Sequence, residues 1–281
     1  MKPDRHFEEV NRHYGCNNLS ERILSALQSA GKDTENLSLD DLATFEQFHI
    51  GGREETLNLA SLAGITSNMR LLDVGCGIGG PARTLATEFG CNVTGLDLTE
   101  EYIDAAEMLT HRVGITQRLT FRNGSALSIP FADSSFDMVW TQHVGMNIED
   151  KLRWFTDMAR VLREGGKLAF HEVFSGSGKP LDYPVFWAAE ESMSFLLTVA
   201  QTDRLLLERG FVRIISNDVT VRSVTFFKNM VSAFNSDSPP PLGLGVIVPA
   251  DVPKKAENIL RGLTDGRLVV IQAVYEIRRQ Q

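Results

Sequence analysis

From residue 69 onward, apolar runs of strand length alternate with stretches whose apolar positions recur every three or four residues. That rhythm predicts a parallel sheet covered by helices on both faces. Strands are expected at 69–74, 92–97, 119–123, 136–142 and 166–174, with helices at 80–89, 99–113 and 149–162 between them. Thr99, followed by Glu100 and Glu101, reads as a helix start, because a hydroxyl caps free N–H groups and acids suit the positive end of the helix dipole. The run Arg163-Glu164-Gly165-Gly166 reads as the close of the third helix, with glycine supplying a left-handed cap. Ahead of residue 65 the pattern is helical: Leu19, Ile23, Leu24 and Leu27 fall at helical spacing, 54–62 repeats it, and Gly51-Gly52 breaks the second stretch.

After the fifth strand the rhythm changes. Residues 175–184 are loop-like, 185–199 apolar and aromatic, and 202–209 resemble a surface helix. A sixth strand is expected at 211–216, a helix at 223–234, a polyproline loop at Ser238-Pro239-Pro240-Pro241 and a last strand at 268–277. The expected fold is α/β: a seven-stranded, doubly wound, mostly parallel sheet. A helical N-terminal lid over 1–65 would precede a domain over 66–281, with cap insertions at about 175–200 and 219–265.

The chemistry concentrates where the first strand, Leu71-Leu72-Asp73-Val74, runs into Gly75-Cys76-Gly77-Ile78-Gly79-Gly80. Glycine is needed where a chain turns with positive φ or where a ligand lies against bare backbone. The second strand ends at Asp97, an acid placed to hold a ribose. Spacing alone leaves the ligand open, because Gly80 also completes the G-x-G-x-x-G of dinucleotide dehydrogenases. Asp73 argues against a pyrophosphate, which it would repel, and for a cationic or amino-bearing ligand. Residues 123–131 offer a small polar wall beside an apolar one, suited to an adenine ring.

With the added signatures Phe136-Asp137-Met138-Val139 and Leu162-Arg163-Glu164-Gly165-Gly166, residues 71–174 resemble the class I, Rossmann-type S-adenosylmethionine-dependent methyltransferases. The stretches Gln47-Phe48-His49-Ile50-Gly51-Gly52-Arg53 and Val144-Gly145-Met146-Asn147-Ile148 look like the sarcosine/dimethylglycine N-methyltransferases and related quinone or natural-product methyltransferases. The resemblance implies a Rossmann-like methyltransferase fold with S-adenosyl-L-methionine as cofactor. It also implies site roles. Asp73, Gly75, Gly77 and Gly79 would border the methionine portion and ribose, Asp97 would accept the ribose hydroxyls, Leu98 would pack on adenine, and Ser125 and Ala126 would border that ring. Gln142 and His143 would sit beside the methyl donor, and Tyr14, Gln47 and His49 would fold over the cofactor.

Methyl transfer from a sulfonium is an in-line displacement that depends on alignment, and a hydroxyl acceptor also needs a base. His143 is the candidate base, since imidazole titrates near neutral pH; the alternative is a histidine that holds backbone or cofactor in place. His171 and Glu172 form a second polar pair of which strand alternation lets one face the cleft. Arg53 and His49 are candidates for substrate contact, Arg53 through a carboxylate, unless Glu54 or Glu55 engages it. Phe186, Trp187, Met193, Phe195 and Leu196, with Phe226, Phe227, Met230 and Phe234, read either as core or as the wall of a dry substrate chamber. Such a wall favours an aromatic or prenyl-like acceptor. No H-E-x-x-H spacing occurs, so no metal is expected.

Composition narrows the classes further. The chain has 281 residues, 43% hydrophobic and 23% charged, which suits a folded enzyme with a sizeable core. A net charge of -8 argues against nucleic-acid binding. Met1-Lys2-Pro3-Asp4-Arg5-His6 opens no apolar leader, and no apolar run reaches membrane length, so a cytoplasmic protein without membrane contact is expected. Cys16, Cys76 and Cys91 have no C-x-x-C spacing and imply neither disulfide framework nor zinc. The expected activity is methylation of a small molecule at nitrogen or oxygen, with a sarcosine/dimethylglycine-like amine as one acceptor. Also open are O- or C-methylation of an aromatic, quinone or isoprenoid, a nicotinamide oxidoreductase, and a cofactor-binding module without catalysis. Oligomeric state is left open, a homodimer being admissible.

Overall fold

The computed structural model describes residues 14–15, 18–234, 242–248 and 251–279; the polyproline loop, residues 1–13 of the expected lid and Cys16 lie outside them. Seven strands form one sheet: β1 (Arg70–Val74), β2 (Asn92–Asp97), β3 (Leu119–Asn123), β4 (Phe136–Gln142), β5 (Leu162–Ser175), β6 (Phe211–Asp218) and β7 (Leu268–Ile277). Their order is β3-β2-β1-β4-β5-β7-β6. The pairings from β3 to β5 are parallel, and β7 runs antiparallel to both its neighbours. This is the doubly wound α/β fold expected from the alternating pattern. The order reverses between β1 and β4, which opens a crevice at their carboxyl ends.

The helices are α1 (Leu19–Ser29), α2 (Leu39–Leu42), α3 (Gly52–Ala63), α4 (Gly80–Phe89), α5 (Glu100–Val113), α6 (Lys151–Val161), α7 (Val199–Leu207), α8 (Thr220–Phe234) and α9 (Val252–Thr264). Two end signals work differently from the sequence reading. The Thr99 side chain makes no capping bond; its backbone N–H donates instead to Asp97 Oδ1 at 3.0 Å. Helix α6 does not close on Gly165. Leu162 is already extended and pairs with Phe136, so the fully buried leucine draws the chain into β5 before the glycines arrive. Gly165, at φ 69°, then shapes a bulge where the register jumps from Phe136–Leu162 to Met138–Lys167.

Period-two alternation distributes the core to both faces. Leu71, Met138, Trp140 and Ala169 pack with Leu59 and Ala60 of α3 and Leu85 of α4. Their sequence neighbours Leu72, Val139, Leu168 and Phe170 pack with Trp154, Phe155 and Met158 of α6. Each such large side chain contributes about 1.5–3 kcal/mol on burial. Helix α9, absent from the sequence reading, buries Val252, Ala256, Ile259 and Leu263 along one stripe behind Pro253, which is tolerated in a first turn.

One buried ion pair fastens the N-terminal segment to the sheet. Arg83 of α4 is fully buried and donates through Nε and Nη2 to Glu46 Oε2 at 3.1 and 3.0 Å. Its remaining donors reach the Ile78 and Ala106 carbonyls and the Thr110 hydroxyl at 2.8, 3.3 and 3.2 Å. The guanidinium is thereby satisfied on every side and holds Glu46 Oε2 by hydrogen bonds, while Arg53 Nη2 stands 3.5 Å from Oε1. Arg83→Met should destabilise the fold by about 3–5 kcal/mol, because it strands a buried carboxylate. Urea unfolding monitored by tryptophan fluorescence measures this, and a loss under about 1 kcal/mol would contradict it.

Candidate active site

The crevice between β1 and β4 opens into a cavity of about 360 Å³, within the range of small-molecule sites. Its floor at one end is the loop after β1. The N–H groups of Gly75 and Cys76 donate to the Leu96 carbonyl at 2.7 and 3.1 Å, so the loop is pinned to the end of β2. Asp97 draws it tighter: Oδ2 accepts from the Gly77 N–H at 2.8 Å while Oδ1 takes Thr99. Each Asp97 oxygen retains a lone pair for a ligand hydroxyl. Burial pushes the Asp97 carboxyl up, and these N–H groups oppose the shift.

The three glycines of the loop do different work. A Cβ on Gly75 (φ 77°) would stand 2.2 Å from Val144 Cγ2, so its absence lets the loops after β1 and β4 touch. Gly77 (φ 53°) has open space where a Cβ would lie and borders the cavity, which is what a ligand lying on bare backbone requires. Gly79, expected to face the ligand, is not among the lining residues. It opens α4 in the left-handed conformation and packs against Phe121 and Arg83. Gly80 admits the Glu46 carbonyl, which would stand 2.1 Å from a Cβ there. The dehydrogenase-like spacing through Gly80 thus has a packing cause.

Asp73 lines the cavity at 2% exposure, and its Oδ2 has no hydrogen-bond partner. Burial, and then the negative charge of Asp97, push its carboxyl up to about 8. A lone buried carboxylate of this kind is stabilised by a cation. Leu98, Ser125 and Ala126 line the same end, where the Ser125 hydroxyl accepts from the Leu127 N–H at 3.1 Å and shapes the turn.

On the β4 side, Gln142 lines the cavity with its Oε1 held by Trp140 Nε1 at 2.9 Å and the Thr56 hydroxyl at 3.3 Å, leaving Nε2 unpartnered. His143 follows in the left-handed conformation (φ 57°), its N–H donating to the His171 carbonyl at 2.9 Å and both ring nitrogens free. Burial, and then the neighbouring His49 ring, push its pKa down to about 3. The imidazole is therefore neutral across the physiological range. Tyr14 also lines the cavity and donates to Asn147 Oδ1 at 2.8 Å; burial and the charge of Asp97 raise its phenol. His49 reaches the cavity too, with Nε2 at 3.0 Å from both Gln47 Oε1 and Thr56 Oγ1. Gln47 itself is turned to Thr84 Oγ1 at 3.0 Å and is not a lining residue.

Three residues expected near substrate are placed elsewhere. Arg53 is bonded to Asp40 Oδ1 at 2.7 Å and to the Leu39 carbonyl, ties within the N-terminal helices. His171 is wholly buried behind His143, the ring centroids 4.8 Å apart. Glu172 accepts backbone N–H groups from the loop after β4, and burial pushes its carboxyl up to about 7. Of the aromatic and aliphatic set, Phe186, Trp187, Phe226, Phe227 and Met230 line the far end of the cavity; Met193, Phe195, Leu196 and Phe234 do not. Sequence reasoning missed Phe48, Tyr102, Asn147 and Ile259. Tyr102 stands one turn into α5 beyond Asp97, a signal the strand-end rule makes readable. Among the described residues, no group of three or more His, Cys, Asp or Glu side chains is arranged to hold a metal ion, and no helix is long and apolar enough to cross a membrane.

Residues 72–170 match the methyltransferase-domain family. The methyltransferase GfsG of Streptomyces halstedii is 32% identical over 136 residues, covering 48% of this chain and 47% of that protein. The chain spans about half the length, or less, of the curated relatives it matches. Two solved structures share the fold along nearly their whole length. Geranyl diphosphate C-methyltransferase of Streptomyces coelicolor, solved with Mg2+, geranyl-S-thiolodiphosphate and S-adenosyl-L-homocysteine, aligns with a TM-score of 0.73 at 16% identity over 99% of both chains. The [4+2]-cyclase SpnF aligns with a TM-score of 0.67 at 20% identity over 93% of both.

The glycine geometry predicts unequal tolerance. Gly77→Ala should cost about 1–3 kcal/mol, the strain of a left-handed alanine, and fold normally. Gly75→Ala should cost more, because its methyl also meets the stiff Val144 side chain. Thermal unfolding of the two variants side by side checks the order, and equal melting temperatures would refute it.

Proposed function

We propose that the methyltransferase domain formed around residues 72–170 uses S-adenosylmethionine to methylate an apolar small molecule held in the aromatic end of the cavity. One observation carries the reading: a single cavity joins the unpartnered carboxylate of Asp73 and the bare backbone at Gly77 to a chamber walled by Phe186, Trp187, Phe226 and Phe227. The fold by itself would not suffice, since a [4+2]-cyclase has it too. S-adenosylmethionine, when bound, supplies an activated methyl group on a sulfonium. Asp97 accepts the ribose hydroxyls, Leu98, Ser125 and Ala126 border the adenine, and Asp73 offers negative charge to the cationic methionine portion. The described part of residues 1–65 acts as the lid over this seat, Tyr14 and His49 reaching in from it, and the described parts of the insertions at about 175–200 and 219–265 act as the cap.

The chamber favours one class of acceptor. Its aromatic wall excludes water, which favours a ring or isoprenoid over an amino acid such as sarcosine. Arg53, the cation that a substrate carboxylate would need, is turned to Asp40 and Leu39. A hydroxyl or enol acceptor requires a proton acceptor beside it, and we assign that role to the neutral ring of His143, whose unpartnered nitrogens lie at the cavity wall. Nitrogen methylation needs no such base and is the second reading.

Binding of the cationic donor should release protons. In the ligand-free site Asp73, pushed up to about 8, is largely protonated at pH 7; a neighbouring cation favours its ionised form. Affinity for S-adenosylmethionine should therefore rise with pH toward 8, by at most about tenfold per pH unit, and fall below it. Calorimetry at pH 7 in buffers of different ionisation enthalpy reads the released proton, and Asp73→Asn should remove it. Absence of binding by both S-adenosylmethionine and S-adenosylhomocysteine would sink the proposal. In a panel of phenols, isoprenoid alcohols, sarcosine and dimethylglycine, turnover is expected with the first two classes. His143→Gln should then lower kcat about 100-fold while leaving S-adenosylhomocysteine affinity unchanged. Turnover confined to sarcosine and dimethylglycine would refute the apolar assignment.

A further inference from the structure

The loop after β4 carries the candidate base, and strand β5 alone accounts for three consecutive N–H groups at its start. The His171 carbonyl accepts from His143 at 2.9 Å. The Glu172 carboxylate accepts from Val144 with both oxygens at 3.1 Å, and its Oε2 accepts from Gly145 at 3.0 Å. Thr141 adds its hydroxyl to Oε1 at 3.3 Å. The far end of the same loop is held by a cation: Lys151 donates to the carbonyls of Ile148 and of Phe195, the latter at 2.6 Å. A loop of six residues is thus drawn inward by an anion at its start and a cation at its end.

Glu172 is 4% exposed and lies outside the cavity lining, so contact with substrate does not explain it. Burying a carboxylate costs several kcal/mol unless charged or hydrogen-bonding partners offset it. The expense is intelligible from what the bonds hold. Val144, fastened by its N–H, presses its side chain into the place where Gly75 lacks a Cβ, so the β4 loop is set directly on the glycine loop. His143, one residue earlier, is kept in a left-handed conformation that a non-glycine residue adopts only when its surroundings impose it.

We infer that Glu172 is a positioning residue for methyl transfer: its carboxylate fixes the loop 143–148 against Gly75, and so sets both the donor seat and the direction of the His143 ring. This rests on the reading of the cavity as a methyl-donor site. Glutamine keeps the shape of the side chain but offers one acceptor oxygen where two are used, and its amide nitrogen faces a donor.

The test uses the full chain with S-adenosylhomocysteine as the probe. Glu172→Gln should weaken its binding by about tenfold or more in calorimetry, as expected for loss of a charge-assisted bond. Amide hydrogen exchange at Val144 and Gly145 should accelerate in the same variant, while exchange in β1 and β2 stays at the wild-type rate. Thr141→Val, which removes only the hydroxyl, should shift both readouts in the same direction by a smaller factor, and decides the matter alone if Glu172→Gln does not fold. A lowered melting temperature with unchanged affinity would mean a structural role only and overturn the inference. Failure of the wild-type chain to bind the probe would overturn the methyl-transfer reading, and this inference with it.

Discussion

The contact between Gly75 and Val144 is the constraint from which the rest of the site follows. The strand order reverses between β1 and β4, and the chains leaving them would normally diverge around helices on opposite faces. Here they meet, because Gly75 has no side chain and adopts a φ of 77°. Gly75, Gly77 and Asp73 from one side and His143 and Val144 from the other border the cavity around this contact. A single added methyl would separate the two loops, and with them the carboxylates of β1 and β2 from the imidazole of β4. Residues of both loops line one cavity for that reason.

Polar burial around this contact falls into two kinds. Arg83 with Glu46, and Glu172 with its backbone donors, are enclosed groups whose partners come from the protein itself. They fix the positions of the N-terminal segment and of the β4 loop. Asp73 Oδ2, Gln142 Nε2 and the ring nitrogens of His143 are also enclosed but lack protein partners, and all three residues border the cavity. Unsatisfied polar atoms cost about 1–3 kcal/mol each, so a fold selected for stability alone would have removed them. Enclosed polar atoms without partners also occur off the cavity, on Arg53, Trp154, His171 and Gln272; those of Asp73, Gln142 and His143 differ in bordering it, where a ligand can reach them.

Much of the fold was legible because its signals are local. Period-two runs placed β2, β3, β4 and β7 with the bounds that the structure has, since a buried strand must alternate its side chains between two packed faces. The errors arose where long-range packing outweighed local preference. Gly165 looked like a helix cap, but Leu162 had a place in the core beside Phe136, and the strand took it. Helix α9 carries a readable signal in the spacing of Val252, Ala256, Ile259 and Leu263, masked by Pro253 in its first turn. In the site, Asp73, Asp97 and Gly77 could be read from the strand ends. The division of labour among the glycines could not, because it depends on Val144, Phe121 and the Glu46 carbonyl, all distant in sequence. Arg53 was misplaced for a similar reason: its choice between a ligand and Asp40 is made by the path of residues 39–53, which no spacing rule fixes.

Under the proposed reading the cavity has a donor half that is specific and an acceptor half that is variable. The donor half is built from strand ends and short loops whose backbone hydrogen bonds leave little freedom; Asp97 alone fastens two N–H groups. The acceptor half comes from α8, α9 and the segment around Phe186 and Trp187, which meet the cavity through apolar side chains. Apolar walls tolerate exchange of one hydrophobic residue for another at modest cost, whereas a buried carboxylate tolerates almost none. On that reading, substitutions around Phe186, Trp187 and α8 would change which molecule fits without moving the methyl donor. The loop 143–148 is bound to both halves: Val144 rests on the donor loop, while Asn147 donates to the Trp187 carbonyl at 2.9 Å. On that reading, a change of acceptor that repacks Trp187 would reach His143 through that loop, so the wall can vary more freely where it does not touch Asn147.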